Sequence, residues 1–183
     1  MIKFIERNKE IISTLSLIAV FAVFSNSANA ATINNTKPEQ AQTSKTTSQE
    51  VFLVSKEEKL QSFANKATLT DLELKELLSL VGFKGQDLIE AWSVAKKETN
   101  GTPTRVNPNA KTGDNSWGLF QINMIGVLGP DRRTKFDLVT NSDLINPVIN
   151  AEVAFYMSDG GKDWSSWHGL TPRTKYWMTQ FPN

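Results

Sequence analysis

The groups available for acid/base chemistry in this chain are carboxylates, hydroxyls, lysines and a single imidazole. The 183 residues include 19 Asp and Glu, 20 Lys and Arg, one histidine and no cysteine. The lack of cysteine excludes a thiol nucleophile, a disulfide framework and a thiolate metal site. One histidine cannot supply the two or three imidazoles of the commoner catalytic zinc sites. The formal charge of +1 lacks the basic excess of a nucleic-acid-binding protein, so nucleic acid is not an expected partner.

Glu98 is the candidate general acid because of its place on a predicted helix that begins near Gln86. Apolar residues recur there at i, i+3, i+4 and i+7: Leu88, Ala91, Trp92 and Ala95. Glu98 extends this face by three residues and lies in the last turn, just before Asn100-Gly101. Burial and the negative end of the helix dipole both favour a protonated carboxyl, which a general acid requires. The alternative is a solvated glutamate at a helix end.

The other side groups near Glu98 are expected to face elsewhere. The opposite face of the helix is predicted to be polar and to carry Gln86, Glu90, Ser93 and Lys97. Lys96 and Lys97 should therefore point away from Glu98. His168 is interpreted as a surface residue rather than a catalyst, since no carboxylate or hydroxyl partner is evident for it.

The remaining elements indicate a mainly α domain. A weak helical stretch over residues 51–67 has Leu53, Leu60 and Phe63 as packing candidates. A capping box at Thr70-Asp71-Leu72-Glu73 opens a second helix with a leucine stripe that ends at Gly82. A polar loop over residues 102–116 precedes a short apolar segment over residues 117–123. Asn146-Pro147 opens a further helix that should stop near Gly160-Gly161, and the chain ends in an aromatic-rich stretch.

The N-terminal part predicts export. Residues 1–30 combine a basic start, a short apolar run and Ala28-Asn29-Ala30, which is typical of a secretory signal peptide cleaved after Ala30. A retained membrane anchor is the alternative, although the apolar run is short of the ~20 residues of a spanning helix. Residues 31–50 have almost no large apolar side chains and are predicted to be a disordered linker. Residues 51–183 form the predicted domain, with the periplasm or the cell exterior as its location.

Two segments together resemble the lysozyme-like superfamily. They are Ala95-Lys96-Lys97-Glu98-Thr99 and Ser116-Trp117-Gly118-Leu119-Phe120-Gln121-Ile122-Asn123. The resemblance extends over about residues 70–167 and is strongest to lytic transglycosylase (SLT-type) domains and lysozyme-like domains of phage tails. It implies a lysozyme-like fold whose short-strand or irregular segment lines a cleft. In that family the helix-terminal Glu is the catalytic acid, which corresponds to Glu98 here.

The family also implies that the second segment contacts sugar. The predicted substrate-binding residues are Ser116, Trp117, Gly118, Gln121 and Asn123 of this segment, and Trp167 from the aromatic end of the chain. The ring of Trp167 could stack on a sugar, and packing in the core is its alternative role. Gln121 and Asn123 alternate along an extended segment, so their amides should face one side, where we expect the cleft. Gly118 would let the backbone approach the sugar closely. A structural hydrogen bond to a buried loop is the alternative role for Gln121.

Three departures from the family pattern bear on the reaction. Thr99-Asn100 replaces the commoner Ser-Gly after the acid, and a late Ala-Tyr-Asn motif is missing. Ser116 occupies the position where animal c-type lysozymes have a catalytic Asp. Asp114 is then the nearest second carboxylate, and it is also interpretable as an Asp-Asn turn residue.

The resemblance implies a lytic transglycosylase that cuts peptidoglycan glycan strands between N-acetylmuramic acid and N-acetylglucosamine, and the single-carboxylate pattern fits that reaction. Most glycosidases need two carboxylates, whereas the transglycosylase reaction uses one acid/base and the substrate's own N-acetyl group. It needs no metal or other cofactor. A hydrolytic muramidase that uses Asp114 or a held water and a silent glycan-binding module remain the alternatives. Stable membrane insertion is not expected after signal cleavage.

Overall fold

The computed structural model describes residue 53, residues 55–109, residue 111 and residues 113–183. The predicted signal peptide and linker, residues 1–50, lie outside the described residues. Six α-helices are labelled here within the described part: α1 (residues 55–63), α2 (Asp71–Val81), α3 (Gly85–Thr99), α4 (Leu128–Phe136), α5 (Pro147–Met157) and α6 (Pro172–Met178). Short 3₁₀ helices cover Asn141–Ile145, Asp159–Gly161 and Ser165–Trp167. This part of the chain is mainly helical, as predicted.

Local sequence signals account for the ends of α2 and α5. The Thr70 hydroxyl caps the backbone N–H of Glu73, and the Glu73 side chain accepts from the Thr70 N–H, which completes the predicted capping box. Gly82 follows α2 with φ 136°, a conformation that favours glycine. The Asn146 side chain accepts from two N–H groups of the first turn of α5, and Pro147 occupies its first position. The predictions for these two helices are confirmed, with α5 ending at Met157.

α3 contacts both α2 and α6. The prediction that one of its faces is polar is therefore wrong for the middle of the helix. Ser93 is fully buried and its hydroxyl donates to the Ile89 carbonyl. Lys96 is also buried, with its ammonium 2.8 Å from an Asp71 carboxylate oxygen. α3 packs against α2 on one side and α6 on the other, so both faces of its middle section need side chains that fit an interior. The periodicity identified the apolar stripe but not this second contact.

The aromatic end of the chain forms α6 and packs on α3. Trp92 meets Trp177 and Phe181 edge-to-face, with ring centroids 6.2 and 5.6 Å apart. The Lys96 ammonium lies 4.8 Å from the centre of the Trp177 ring, a cation–π contact. The Lys75 ammonium donates to the Pro182 carbonyl at 2.8 Å. These contacts bring the C-terminus back onto the central helix.

Three two-residue strands follow α3 and form an antiparallel sheet in the order β1 (Val106–Asn107), β2 (Ser116–Trp117) and β3 (Ile122–Asn123). Ser116 pairs with Asn107 on one side and with Asn123 on the other. Thus the predicted short-strand segment is present. The register places three polar residues side by side across the sheet.

The core confirms most of the predicted packing residues. Leu60, Phe63 and the leucine stripe of α2 are buried, whereas Leu53 is 61% exposed and does not pack as predicted. Trp164 and Trp167 are buried with Phe120 between the hairpin and the Ser165–Trp167 turn. In the described part of the chain, no helix combines the length and apolar character needed to span a membrane.

Candidate active site

A cavity of about 590 Å³ opens where the end of α3 meets the sheet and the Ser165–Trp167 turn. Its walls are predominantly polar and come from eleven residues: Glu98, Arg105, Asn107, Gly113, Asp114, Ser116, Gln121, Asn123, Ser166, Trp167 and His168. Five of the predicted site residues are therefore brought together here. The cavity also collects several residues that sequence reasoning did not select.

Glu98 reaches this cavity from the last turn of α3. Its side chain is 22% exposed, which leaves it partly shielded but open to a ligand. One carboxylate oxygen lies 2.8 Å from the ammonium of Lys97, whose side chain is only 13% exposed. The expectation that Lys97 points away from Glu98 is therefore wrong, while Lys96 does point away.

The two neighbours of Glu98 in the chain anchor it to different walls of the cavity. The Lys97 ammonium donates to the Trp167 carbonyl at 3.1 Å, which connects α3 to the Ser165–Trp167 turn. The Thr99 hydroxyl is buried and donates to the Leu119 carbonyl at 2.9 Å, which connects α3 to the hairpin. Trp167 in turn donates its indole N–H to the Phe120 carbonyl at 2.7 Å. Glu98 consequently lies at a junction of three elements that hydrogen bonds hold together.

Asp114 lines the same cavity and is held by two side chains of the sheet. One of its carboxylate oxygens accepts from the Ser116 hydroxyl, and the other accepts from the Asn107 amide at 2.5 Å. Ser116 is buried, so its hydroxyl serves as a donor within the wall. These two donors fix the position of the Asp114 carboxylate in the wall.

Gln121 and Asn123 both line the cavity, but by a different route from the predicted one. Gln121 has φ 50° and belongs to the turn between β2 and β3, so the two residues do not alternate along one strand. The Gln121 amide donates to the carbonyls of Arg105 at 3.1 Å and Gly118 at 2.9 Å. The Asn123 side-chain oxygen accepts from the backbone N–H groups of Asn115 and Ile125. Both amides thus shape the wall through structural hydrogen bonds, the alternative considered for Gln121.

Arg132 of α4 holds strand β3 through a hydrogen bond. Its guanidinium donates to the Asn123 carbonyl. Burial lowers the pKa of Arg132 from its ordinary value. α4 was not predicted from the sequence, and this contact explains how a mostly polar helix is tied to the sheet.

Trp117 and Gly118 do not line the cavity, contrary to prediction. The Trp117 indole N–H donates to the Asn115 side chain at 2.8 Å. Gly118 is buried with φ 73°, and a Cβ there would lie 1.9 Å from the Leu144 carbonyl oxygen and 2.2 Å from the Asn150 amide nitrogen. This glycine permits close packing of the hairpin on α5 rather than access for a sugar. Asn150 secures that contact by donating to the Trp117 and Leu144 carbonyls, both at 2.9 Å.

Trp167 lines the cavity as predicted, although it is buried and presents little of its ring. His168 is exposed, as predicted, yet it lies in the cavity wall with φ 61°. Four other wall residues were not predicted from the sequence: Arg105, Asn107, Gly113 and Ser166. Arg105 and Asn107 belong to the polar loop after α3, and their only signal was their place between the two predicted site segments.

The arrangement suits acid/base chemistry on a polar ligand. It offers one partly exposed carboxyl at a helix end, a second carboxylate held by donors, and amides and hydroxyls around both. A cleft of this volume is large enough for small-molecule or oligosaccharide recognition.

Comparison with protein families assigns this fold. A family model described as lysozyme-like domain matches residues 75–169, more than half of the chain, and the chain belongs to that family. The family confirms the predicted resemblance to the lysozyme-like superfamily and the predicted fold, and it supports peptidoglycan-related glycan cleavage or binding. Neither the curated proteins nor the solved structures compared with the chain gave a match.

Proposed function

We propose that this protein is a peptidoglycan lytic transglycosylase in which Glu98 is the catalytic acid and base. The observation that carries the proposal is the position of the Glu98 carboxyl, partly shielded at the end of α3 and facing the polar cavity. The lysozyme-like family supplies the substrate class. Export to the periplasm or the cell exterior, after cleavage following Ala30, would bring the domain to this substrate.

The reaction proceeds in two proton transfers. Glu98 first donates its proton to the glycosidic oxygen, and the bond from that oxygen to C1 of N-acetylmuramic acid breaks. The substrate's N-acetyl oxygen stabilises the positive charge at C1. The Glu98 carboxylate then takes the proton from the 6-hydroxyl of the same sugar, whose oxygen bonds to C1 and closes a 1,6-anhydro ring. Glu98 ends protonated, as it began, and no water is consumed.

The hydrogen bonds of Asp114 support a reaction with one catalytic carboxylate. Both of its oxygens accept from side chains of the sheet, namely Ser116 and Asn107. These bonds suit a residue that shapes the wall.

Hydrolysis by a muramidase is the second candidate, because Asp114 and Glu98 line one cavity. Two carboxylates across a glycosidic bond are the usual requirement for hydrolysis. In that reaction Asp114 would act as the nucleophile or would activate a water.

Product analysis distinguishes the two reactions. Purified sacculi are digested and the released muropeptides are identified by mass spectrometry. Anhydro products, lighter by one water than the corresponding reducing sugars, are expected, and Glu98→Gln provides the blank. Reducing ends as the primary product would show that the protein is a hydrolase. Sacculi that co-sediment with the protein but release nothing would indicate a binding module.

Asp114→Asn gives an independent test. A transglycosylase that uses Glu98 alone should keep its product type and lose less than about tenfold in rate, whereas a lost catalytic base costs about 10²- to 10⁴-fold. Asn107→Ser removes a hydrogen bond to Asp114 without removing its charge and serves as the matched control.

The export proposal has a separate test. The mass of the protein recovered from outside a producing cell should correspond to a chain that starts at Ala31. An intact N-terminus in the membrane fraction would instead support the retained anchor.

A further inference from the structure

The charged side chains of the cleft differ in whether they have a hydrogen-bond or ion-pair partner within the protein. Glu98 has the Lys97 ammonium at 2.8 Å, and Asp114 accepts hydrogen bonds from Ser116 and Asn107. Each carboxylate of the wall therefore has a donor inside the described part of the chain.

Arg105 differs from these carboxylates. Its side chain is exposed and lines the same cavity, and within the described residues its guanidinium makes no hydrogen bond, ion pair or cation–π contact. Its backbone is nevertheless fixed, because the Arg105 carbonyl accepts from the Gly118 N–H at 2.8 Å and from the Gln121 amide at 3.1 Å. The cleft therefore contains a guanidinium on a backbone that hydrogen bonds hold in place, and its N–H donors can bind a ligand.

A guanidinium matches a carboxylate through two parallel hydrogen bonds, a geometry that a lysine ammonium cannot reproduce. A ligand anion in this cleft would meet two carboxylates that already have partners and one arginine that has none among the described residues. We propose that Arg105 forms a carboxylate-binding subsite of the glycan cleft. This proposal rests on the proposed function only for the identity of the ligand, an acidic peptidoglycan strand.

Peptidoglycan offers that chemistry from two sources. The lactyl group of N-acetylmuramic acid ends in a free carboxylate where the strand carries no peptide. Where a stem peptide is attached, the lactyl group is an amide and the carboxylates belong to the peptide. The shared requirement is a carboxylate near the sugar ring bound at Arg105.

Three tetrasaccharide ligands of alternating N-acetylglucosamine and N-acetylmuramic acid test the subsite. One has free lactyl carboxylates, one carries stem peptides, and one has its lactyl groups converted to primary amides. Binding is measured by titration calorimetry with the Glu98→Gln protein, so that no ligand is consumed. Arg105→Gln, Arg105→Lys and the exposed Arg173→Gln, which lies outside the cavity wall, are each added to this background.

Arg105→Gln should weaken binding of a carboxylate-bearing ligand about tenfold, in line with a charge-assisted hydrogen bond, and leave the amide ligand unchanged. A loss confined to the first ligand identifies the lactyl carboxylate, and one confined to the second identifies the stem. Arg105→Lys should recover part of the affinity, and Arg173→Gln should have no effect. An equal loss for all three ligands, no loss for any, or no binding of any ligand would overturn the proposal.

The failure of this subsite and the failure of the proposed function are separable. An unchanged Kd in Arg105→Gln removes the subsite while the wild-type protein still releases anhydro products. Glycan release that survives Glu98→Gln removes the assigned acid, and the binding comparison among Arg105 variants keeps its meaning.

Discussion

Two glutamates of this protein pair with lysines at nearly equal distances but lie at opposite ends of their helices. Glu73, in the first turn of α2, has a carboxylate oxygen 2.7 Å from the Lys66 ammonium. Glu98, in the last turn of α3, lies 2.8 Å from that of Lys97. The two pairs share their residue types and contact distance, and their surroundings differ.

Glu73 is held in its charged form by several donors. The Lys66 hydrogen bond, followed by those of the Thr70 backbone and hydroxyl, lowers the pKa of Glu73 from 4.5 to about 2. The partial positive charge at the N-terminus of α2 acts in the same direction. Such a carboxylate stays ionised at ordinary pH, and it stabilises the helix because it accepts hydrogen bonds at the N-terminus.

Glu98 has a single ion-pair partner among the described residues and faces the partial negative charge of a helix C-terminus. It also lines the polar cavity, and Glu73 is not part of that cavity's wall. A close lysine alone therefore does not define the role of a glutamate. The number of donors, the end of the helix and the access to a ligand distinguish a structural carboxylate from one that can transfer protons.

Glu98→Gln is expected to have the largest effect on activity. The amide cannot donate a proton to the glycosidic oxygen, so release of glycan fragments from sacculi should fall about 10³-fold or more. The melting temperature should stay close to that of the wild type, since Glu98 supplies no helix cap. Glu90→Gln, on α3 but outside the cavity wall, is the control and should keep full activity. A strongly destabilised Glu98→Gln protein would assign to Glu98 the kind of role that Glu73 has.

Lys97→Met should lower the rate of glycan release about tenfold at the wild-type pH optimum, because the acid loses an ion pair and its connection to Trp167. Lys84→Met is an exposed control just before the start of α3 and should keep full activity. A wild-type rate in Lys97→Met would show that neither the ion pair nor the contact with Trp167 supports the acid.

The sequence predicted those parts of the fold that depend on local patterns. The capping box of Thr70 and Glu73, the glycine at position 82 and the Asn146-Pro147 start each satisfy backbone groups within a few residues, so they are readable without knowledge of the tertiary structure. α4 has few apolar residues and α6 combines aromatic and polar ones, so neither shows a clear helical stripe. They are held by tertiary contacts, of Arg132 with the sheet and of Trp177 with α3.

In the candidate site, too, the sequence predicts what local patterns determine and does not predict what tertiary contacts determine. Glu98 was found from periodicity at a helix end, a local signal. Lys97 was misplaced because a 3.6-residue period separates adjacent side chains, whereas long side chains at a helix end can turn toward each other. The role predicted for Gly118 differs from its packing role in the structure, because its close neighbours Leu144 and Asn150 come from distant segments of the chain. Arg105 directly precedes β1, and the pairing of β1 with β2 brings it to the cavity wall. That pairing spans the polar loop and is not evident from local sequence.

Glu73→Gln should lower the free energy of unfolding by about 1 kcal/mol at neutral pH, a value reduced for solvent screening of a partly exposed group. Since the pKa of Glu73 is about 2 in the folded state and 4.5 as its ordinary value, its stabilisation is complete above about pH 4.5 and is lost as the pH falls through 2. Urea unfolding at several pH values should show the difference between variant and wild type disappearing at low pH. Glycan release by the folded variant should be unchanged, in contrast to Glu98→Gln.

Lys66→Met should have the smallest effect, a loss of less than about 0.5 kcal/mol in the free energy of unfolding, because both members of the pair are partly exposed. The Thr70 donors keep Glu73 in place when Lys66 is removed. The loss should shrink further as salt is added, since ions screen an exposed pair. The matched change at Lys97 should instead affect rate more than stability. If Lys66→Met destabilised the protein more than Glu73→Gln, the lysine would matter through its aliphatic contacts, and the two lysine–glutamate pairs would differ less in chemistry than in packing.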